Sequence, residues 1–181
     1  MFHSSSSFFS LPLLLSPPGK YIPPSIPCAN IYPNEPYEHS DPKNNCASDT
    51  KIAIIVRNDL TTWQKLNITA FLMSGITAAN TDLIGEKYVD KDGNCHLPMS
   101  RQPVIVLSAT PNILRNARNR ANERGIPTVV YIEEMFATGH DEANRAVFSE
   151  HMSNEDNTVG IALRADKKTV DKITKGAKMH S

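Results

Sequence analysis

The sequence is short of most features that announce a function. Net charge is missing: 19 basic residues balance 19 acidic ones over 181 residues. No overall field therefore draws the chain to nucleic acid or to an anionic membrane. Cysteine is scarce and odd in number, Cys28, Cys46 and Cys95, with no C-x-x-C pair. That excludes a zinc ribbon and a thioredoxin-type motif and favours free thiols in a reducing compartment. Neither a glycine-rich phosphate loop nor a G-x-S-x-G nucleophile elbow occurs. Asp90-Lys-Asp92-Gly93-Asn94 lacks the sixth-position glycine and twelfth-position glutamate of a calcium loop. Cys95-His96 stand alone, without metal-ligand spacing. No metal and no cofactor is expected. Nor does any apolar run reach the ~20 residues that span a bilayer, so the expectation is a cytoplasmic protein with no membrane partner.

What is present divides near residue 50. Residues 1–50 hold 9 of the 13 prolines, nine serines and no arginine. Such a stretch cannot sustain a ladder of backbone hydrogen bonds and has little to bury against the entropy of ordering. It reads as a disordered Pro/Ser-rich tail. Its apolar start, Phe8–Leu15, lacks a basic n-region, is broken by Pro12 and runs into Pro17-Pro18 without a small-residue cleavage site, unlike a signal peptide.

Residues 51–181 read as one compact α/β domain. Lys51–Val56 is a near-continuous apolar run, the mark of a strand buried on both faces. The period then changes, with Leu66, Ala70, Met73 and Thr77, and also Leu72, Gly75, Ile76 and Ala79, at helical steps. An amphipathic helix from about Thr61 to Asn80 is expected. Asp92-Gly93 marks a turn, and Pro103–Leu107 a second strand. Thr110 caps the next helix, Pro111 opens it and Gly125 stops it. Thr128–Ile132 is a third strand, followed by short helical pieces near Glu133–Thr138 and Asp141–Met152. Thr158–Arg164 makes a fourth strand, and Lys167–Thr174 a last helix ended by Gly176. This alternation predicts a mixed, mostly parallel sheet of about four strands with helices on both faces. Ligands in such sheets sit beyond the carboxyl ends of the strands, here Arg57–Trp63, Glu133–Asp141 and Arg164–Lys168.

Three clusters carry candidate chemistry. Arg57-Asn58-Asp59-Leu60 leads into a helix start, whose free N–H groups suit an anionic or carbonyl substrate. Plain capping by Asp59 or Thr61, with Trp63 over the core, explains the same residues. Glu133-Glu134 through Thr138-Gly139-His140-Asp141-Glu142 places carboxylates, a hydroxyl and an imidazole beside a strand's carboxyl end, an inventory for general acid–base work on an ester or amide. The same acids also favour a helix start through its dipole. The basic set Arg115, Arg118, Arg120 and Arg124, with Arg164 to Lys178, would grip phosphates if grouped on one face. A solvated helix face explains most of it, and no interleaved aromatics offer base stacking.

Three segments in order, Lys51–Asn67, Val130–Ala146 and Val159–His180, resemble the family catalogued as domain of unknown function 2000. That family is similar to the peptidyl-tRNA hydrolase II superfamily. Val56-Arg57-Asn58-Asp59-Leu60 resembles the hydrolases' V-R-N-D-L, and Val170-Asp171-Lys172-Ile173-Thr174 their I-D-K-V-T-G. Gln64-Lys65-Leu66 stand where the hydrolases carry K-G-K, and Glu134 to Thr138 where they carry D-A-G-R-T. The resemblance implies a peptidyl-tRNA hydrolase II-like fold with a pocket gathering Arg57, Lys65, Asn67, Glu134, Thr138, His140 and Asp141, with Asp59 among the ligand-binding groups. Glu134 or His140 would act as general base, Thr138 would orient water or substrate, and Lys65 or Arg57 would hold an anion. Two functions are compatible with this reading. One is hydrolysis of an ester or amide of a small or tRNA-linked substrate. The other is a non-catalytic module that binds a small molecule, a tRNA-like ligand or nucleic acid. A homodimer is compatible with either.

Overall fold

A computed structural model describes residues 49–151 and 157–181. The expected disordered tail, residues 1–50, lies outside the described residues apart from its last two positions. The chain opens with β1 (Thr50–Arg57) and α1 (Thr62–Ala79), then a 3-10 turn at Thr81–Leu83. A small hairpin of β2 (Tyr88–Val89) and β3 (Cys95–His96) precedes β4 (Val104–Ala109) and α2 (Pro111–Glu123). Next come β5 (Thr128–Ile132), a 3-10 turn (Glu133–Ala137) and α3 (Asp141–Ser149). The last elements are β6 (Thr158–Asp166), α4 (Lys167–Ile173) and β7 (Lys178–Met179).

Five strands form the main sheet, in the order β5-β6-β1-β4-β7. Among the described residues, only β1 and β4 pair parallel; β1–β6, β5–β6 and β4–β7 are antiparallel. The sheet is therefore mixed and not mostly parallel, and it has one strand more than expected. A strand buried on both faces is a continuous apolar run whichever way its neighbours point, so composition carries no direction. The chain between β5 and β6 also makes no crossover. Ile132 ends β5 opposite Thr158, which begins β6, so α3 is an excursion at one end of the sheet.

Alternation along β1 builds two cores. Ile52, Ile54 and Val56 pack with Ile68, Leu72 and Ile76 of α1, while Ala53 and Ile55 pack with Leu114, Ala117 and Ala121 of α2 and Val170 and Ile173 of α4. Each fully buried Ile or Leu contributes ~1.5–3 kcal/mol relative to exposure. α2 follows its local signals: Thr110 is the N-cap, Pro111 opens it, and Gly125, at φ 62°, takes the left-handed conformation just beyond its end.

α1 forms over the expected span, but of the two expected rows only Leu72 and Ile76 are buried. The row at four-residue steps, Ile68, Leu72 and Ile76, faces the sheet, while Leu66 stays 68% exposed. The helix is apolar around most of its circumference, so periodicity alone does not choose the buried row. It lies close: a Cβ on Gly75 would sit 2.7 Å from Val129 Cγ2, and one on Gly160 would sit 3.0 Å from Leu72 Cδ1. In the hairpin, Asp90 Oδ2 accepts from the Asn94 side-chain amide and Oδ1 from the backbone N–H groups of Asn94 and Asp92, and these bonds, the Asn94 amide first, hold its carboxyl down to about 2. Cys95, the buried first residue of β3, is disulfide-bonded, which corrects the expectation of free thiols at that position.

Candidate functional site

β1, β4 and β5 end at the same edge of the sheet, where β6 begins. Because β6 runs the opposite way, Arg164 and Asp166 pair with Ile52 and Thr50 at the far end. The segment Arg164–Lys168 therefore takes no part in this site. There Arg164 bonds Asp82 through Nη1 (2.9 Å) and Nη2 (2.8 Å) and reaches Asn80 Oδ1 (3.1 Å), fastening the end of α1. Burial and Arg164 act on Asp82 in opposite senses; the guanidinium bonds dominate and lower its carboxyl pKa.

At the near end, α1, β5, the 3-10 turn and α3 enclose a cavity of about 380 Å³. Its walls are aromatic. Trp63 meets Phe136 edge-on at 5.7 Å, Phe136 lies 5.2 Å from Tyr131, and Tyr131 lies 5.7 Å from Phe71. Burial raises the Tyr131 phenol pKa. The polar lining comes from Asn67, Thr138, His140, Asp141 and Asn144. A second, more apolar groove of about 570 Å³ adjoins it along β5, sharing Phe71, Tyr131, Met135, Asp141 and Asn144 and adding Phe148.

Of the residues expected at a site, Asn67, Thr138, His140 and Asp141 come together in this cavity. Thr138 Oγ1 has one proton for two acceptors, Met135 O at 2.8 Å and Asn144 Oδ1, which leaves the Asn144 Nδ2 donors for other partners. His140 caps α3, its Nδ1 accepting from Ala143 N–H at 3.3 Å. In the neutral ring that bond puts the proton on Nε2, so His140 offers a donor there. Asp141 pairs with Arg145 one turn along. The Asn67 amide is half-buried and has no protein partner among the described residues.

The remaining expected residues sit apart. Arg57 is clamped between Asp59 Oδ1 (2.7 Å) and Glu133 Oε2 (2.9 Å), with only 12% of its side chain exposed. Burial opposes its charge, yet the bonds to Glu133 and Asp59 outweigh burial and raise its pKa. Glu134 accepts from Asn157 Nδ2 at 2.9 Å and lies 3.6 Å from His151 Nε2. Lys65 lines neither cavity. Gln64 Oε1 accepts from both the backbone N–H and the hydroxyl of Thr61, so it closes the start of α1.

Three arginines of the basic set are tied into the fold by hydrogen bonds. Arg120 donates to the Ile173 and Lys175 carbonyls at the end of α4, Arg124 to Arg120 O, and Arg118 to Thr158 Oγ1 at 2.8 Å. Sequence reasoning missed Asn144 and the aromatic chain Trp63–Phe136–Tyr131–Phe71. Asn144 carried no local signal; the exposed apolar row on α1 was the available hint of the rest. No group of three or more metal-ligating side chains occurs among the described residues, and no helix there is long and apolar enough to cross a membrane.

Fold and cavity together define a mixed-sheet α/β domain with an aromatic-walled recess at the ends of its central strands. Residues 50–181 match the family "Protein of unknown function (DUF2000)", and the chain belongs to that family. It is similar to a solved protein of unknown function from Agrobacterium tumefaciens strain C58, at 58% identity and a TM-score of 0.72, over 74% of this chain and 98% of that one. No curated protein matches.

Proposed function

We propose that this protein binds a small molecule in the aromatic cavity, as a non-catalytic module on a peptidyl-tRNA hydrolase II-like fold. The supporting observation is the lining itself: four aromatic rings and the unpartnered Asn67 amide around about 380 Å³, a size that suits a small ligand. No described side chain lining this space is a free general base. His140 Nδ1 is engaged by Ala143, Asp141 by Arg145, and Glu134 by Asn157 outside the cavity. Gln64, where the hydrolases carry the first lysine of K-G-K, brings no charge and closes the helix start.

One arrangement favours a second reading, hydrolysis of an ester or amide. His140 Nε2–H and the Asn144 amide are donors beside Thr138 in the same recess, the kind of group that polarises a carbonyl. In that reading the reacting groups are His140 and Thr138, because Glu134 lies outside the recess. His140→Gln then abolishes turnover while leaving ligand binding intact, whereas in the binding module no product forms under any condition. The test of the leading reading is a thermal-shift screen of the full chain against nucleosides, nucleotides, aminoacyl- and peptidyl-tRNA mimics and aromatic amides. A ligand of the native state raises the melting temperature by mass action, by ~2.7 kcal/mol of stability at 100 times Kd. A shift that Phe71→Ala removes supports the cavity. No shift across the whole panel overturns the reading in favour of a protein partner.

A further inference from the structure

The aromatic cavity differs from an ordinary apolar recess in where its polar groups stand. Asn67 arrives from α1 and Asn144 from α3, on elements that flank Tyr131 of β5. The Asn67 amide and Asn144 Nδ2 have no protein partner among the described residues, so donors and an acceptor are presented together beside the aromatic rings. His140 adds an Nε2–H donor at the rim. Trp63 and Phe71 keep 59% and 49% of their surface exposed, leaving ring faces available to a guest. Carboxamides matched to a ring's edge, with aromatic side chains over its faces, are how proteins read nucleobases outside a duplex.

The charge around the cavity narrows the ligand further. The one formal charge in its lining, Asp141, is negative. Arg145 lines the adjoining groove but is paired with Asp141. The N-terminus of α3 is already satisfied by the His140 cap and by Asp141 and Glu142 in its first turn. Neither a free cation nor an uncompensated helix end among the lining residues is available to hold a phosphate.

We infer that the cavity takes an uncharged planar nitrogen heterocycle of the nucleobase kind, as free base or nucleoside and without phosphate. This rests on the small-molecule reading above and names its ligand class. The lining amides meet the edge of the ring, and Trp63, Phe71 and Phe136 meet its faces. A phosphate on the same ligand would meet Asp141 and no free cation among the lining residues.

Trp63 is the single tryptophan of the chain, so its fluorescence reports this cavity directly. The full-length protein is titrated with adenosine, guanosine, cytidine and uridine, with their monophosphates, and with naphthalene as a ring that has no hydrogen-bonding edge. Calorimetry gives the affinities of the variants. The expected result is saturable quenching by at least one nucleoside, about tenfold weaker binding of its monophosphate, and about tenfold weaker nucleoside binding in both Asn67→Ala and Asn144→Ala, each with an unchanged melting curve. Naphthalene binding as tightly as the nucleosides, Asn variants that keep full affinity, or monophosphates binding more tightly than nucleosides overturns the inference and leaves the small-molecule reading standing. No saturable response from any probe, together with a silent thermal-shift panel, overturns both.

Discussion

The two faces of the sheet are built from the same strands and finished differently. On the face covered by α2 and α4, Ala53, Ile55, Leu114, Ala117, Ala121, Ile161, Leu163, Val170 and Ile173 are essentially inaccessible. Small side chains at Ala117 and Ala121 let α2 approach the strands, and Arg120 ties α2 to the end of α4 through the Ile173 carbonyl. On the face covered by α1, the core is equally dry near the strands, at Ile54, Ile68 and Leu72, but its outer part is left open. Trp63, Leu66, Phe71 and Phe148 remain exposed there, and both cavities lie on this side. One face supplies closure and the other supplies concavity. Exposed aromatic surface next to a recess marks a binding site more often than a packing defect.

The comparison breaks most visibly at the centre of the closed face. Leu114→Ala removes a fully buried side chain from a tightly packed layer and should cost ~2–5 kcal/mol. Chemical denaturation measures the loss. Ligand affinity, extrapolated to the folded fraction, should not change, because Leu114 lines neither cavity.

Next in size is the seam joining α1 to β5. Gly75→Ala places a methyl 2.7 Å from Val129 Cγ2, and the stiff, branched valine cannot rotate clear. Overpacking of this kind costs ~1–3 kcal/mol. Unlike the closed-face variant, it moves α1 relative to β5, both of which contribute to the cavity walls, so stability and ligand affinity should fall together. A stability loss with full retention of affinity would show that the two cavity walls are mechanically independent.

A smaller effect distinguishes the far end of α1. The Asp82 pKa is lowered in the folded state by Arg164, against the opposing effect of burial. A depressed carboxyl adds stability above its unfolded pKa of ~3.9 and loses it as pH falls through the folded value. Stability of the natural protein should therefore decline below about pH 4. Asp82→Asn should flatten that decline and cost no more than ~1 kcal/mol near neutral pH, since half the Asp82 side chain is solvent-exposed.

Much of the closed face was legible in the sequence. The apolar run of β1, the Thr110-Pro111 start of α2 and its Gly125 stop are local signals, each with a local physical cause. What escaped depends on long-range geometry. The direction of β6 leaves no compositional trace, and β7 is two residues long, shorter than any pattern. The open face hides more. Trp63, Phe71, Tyr131 and Phe136 lie on three elements, and their chain of ring contacts exists only after folding. The acidic pair shows why one pocket could not be read from one segment. A 3-10 turn advances about 120° per residue, so Glu133 turns to Arg57 while Glu134 turns to Asn157. Met135 and Phe136, next in line, face the cavity.

The smallest expected effect on stability is also the sharpest test of the contrast. Trp63 is 59% exposed and touches Phe136 edge-on. Trp63→Phe keeps an aromatic ring over that contact, so the melting transition should move by less than ~0.5 kcal/mol, as for other surface substitutions. Ligand binding should respond more, because the indole is the largest ring face open to a guest and the variant gives up part of a stacking interaction worth ~1–3 kcal/mol per base when the ring is removed altogether. Calorimetric titration of this variant beside Leu114→Ala then gives two opposite profiles: affinity lost with stability kept, and stability lost with affinity kept. If Trp63→Phe instead destabilises the domain as much as Leu114→Ala does, the exposed aromatics are part of the core, and the open face is packing surface after all.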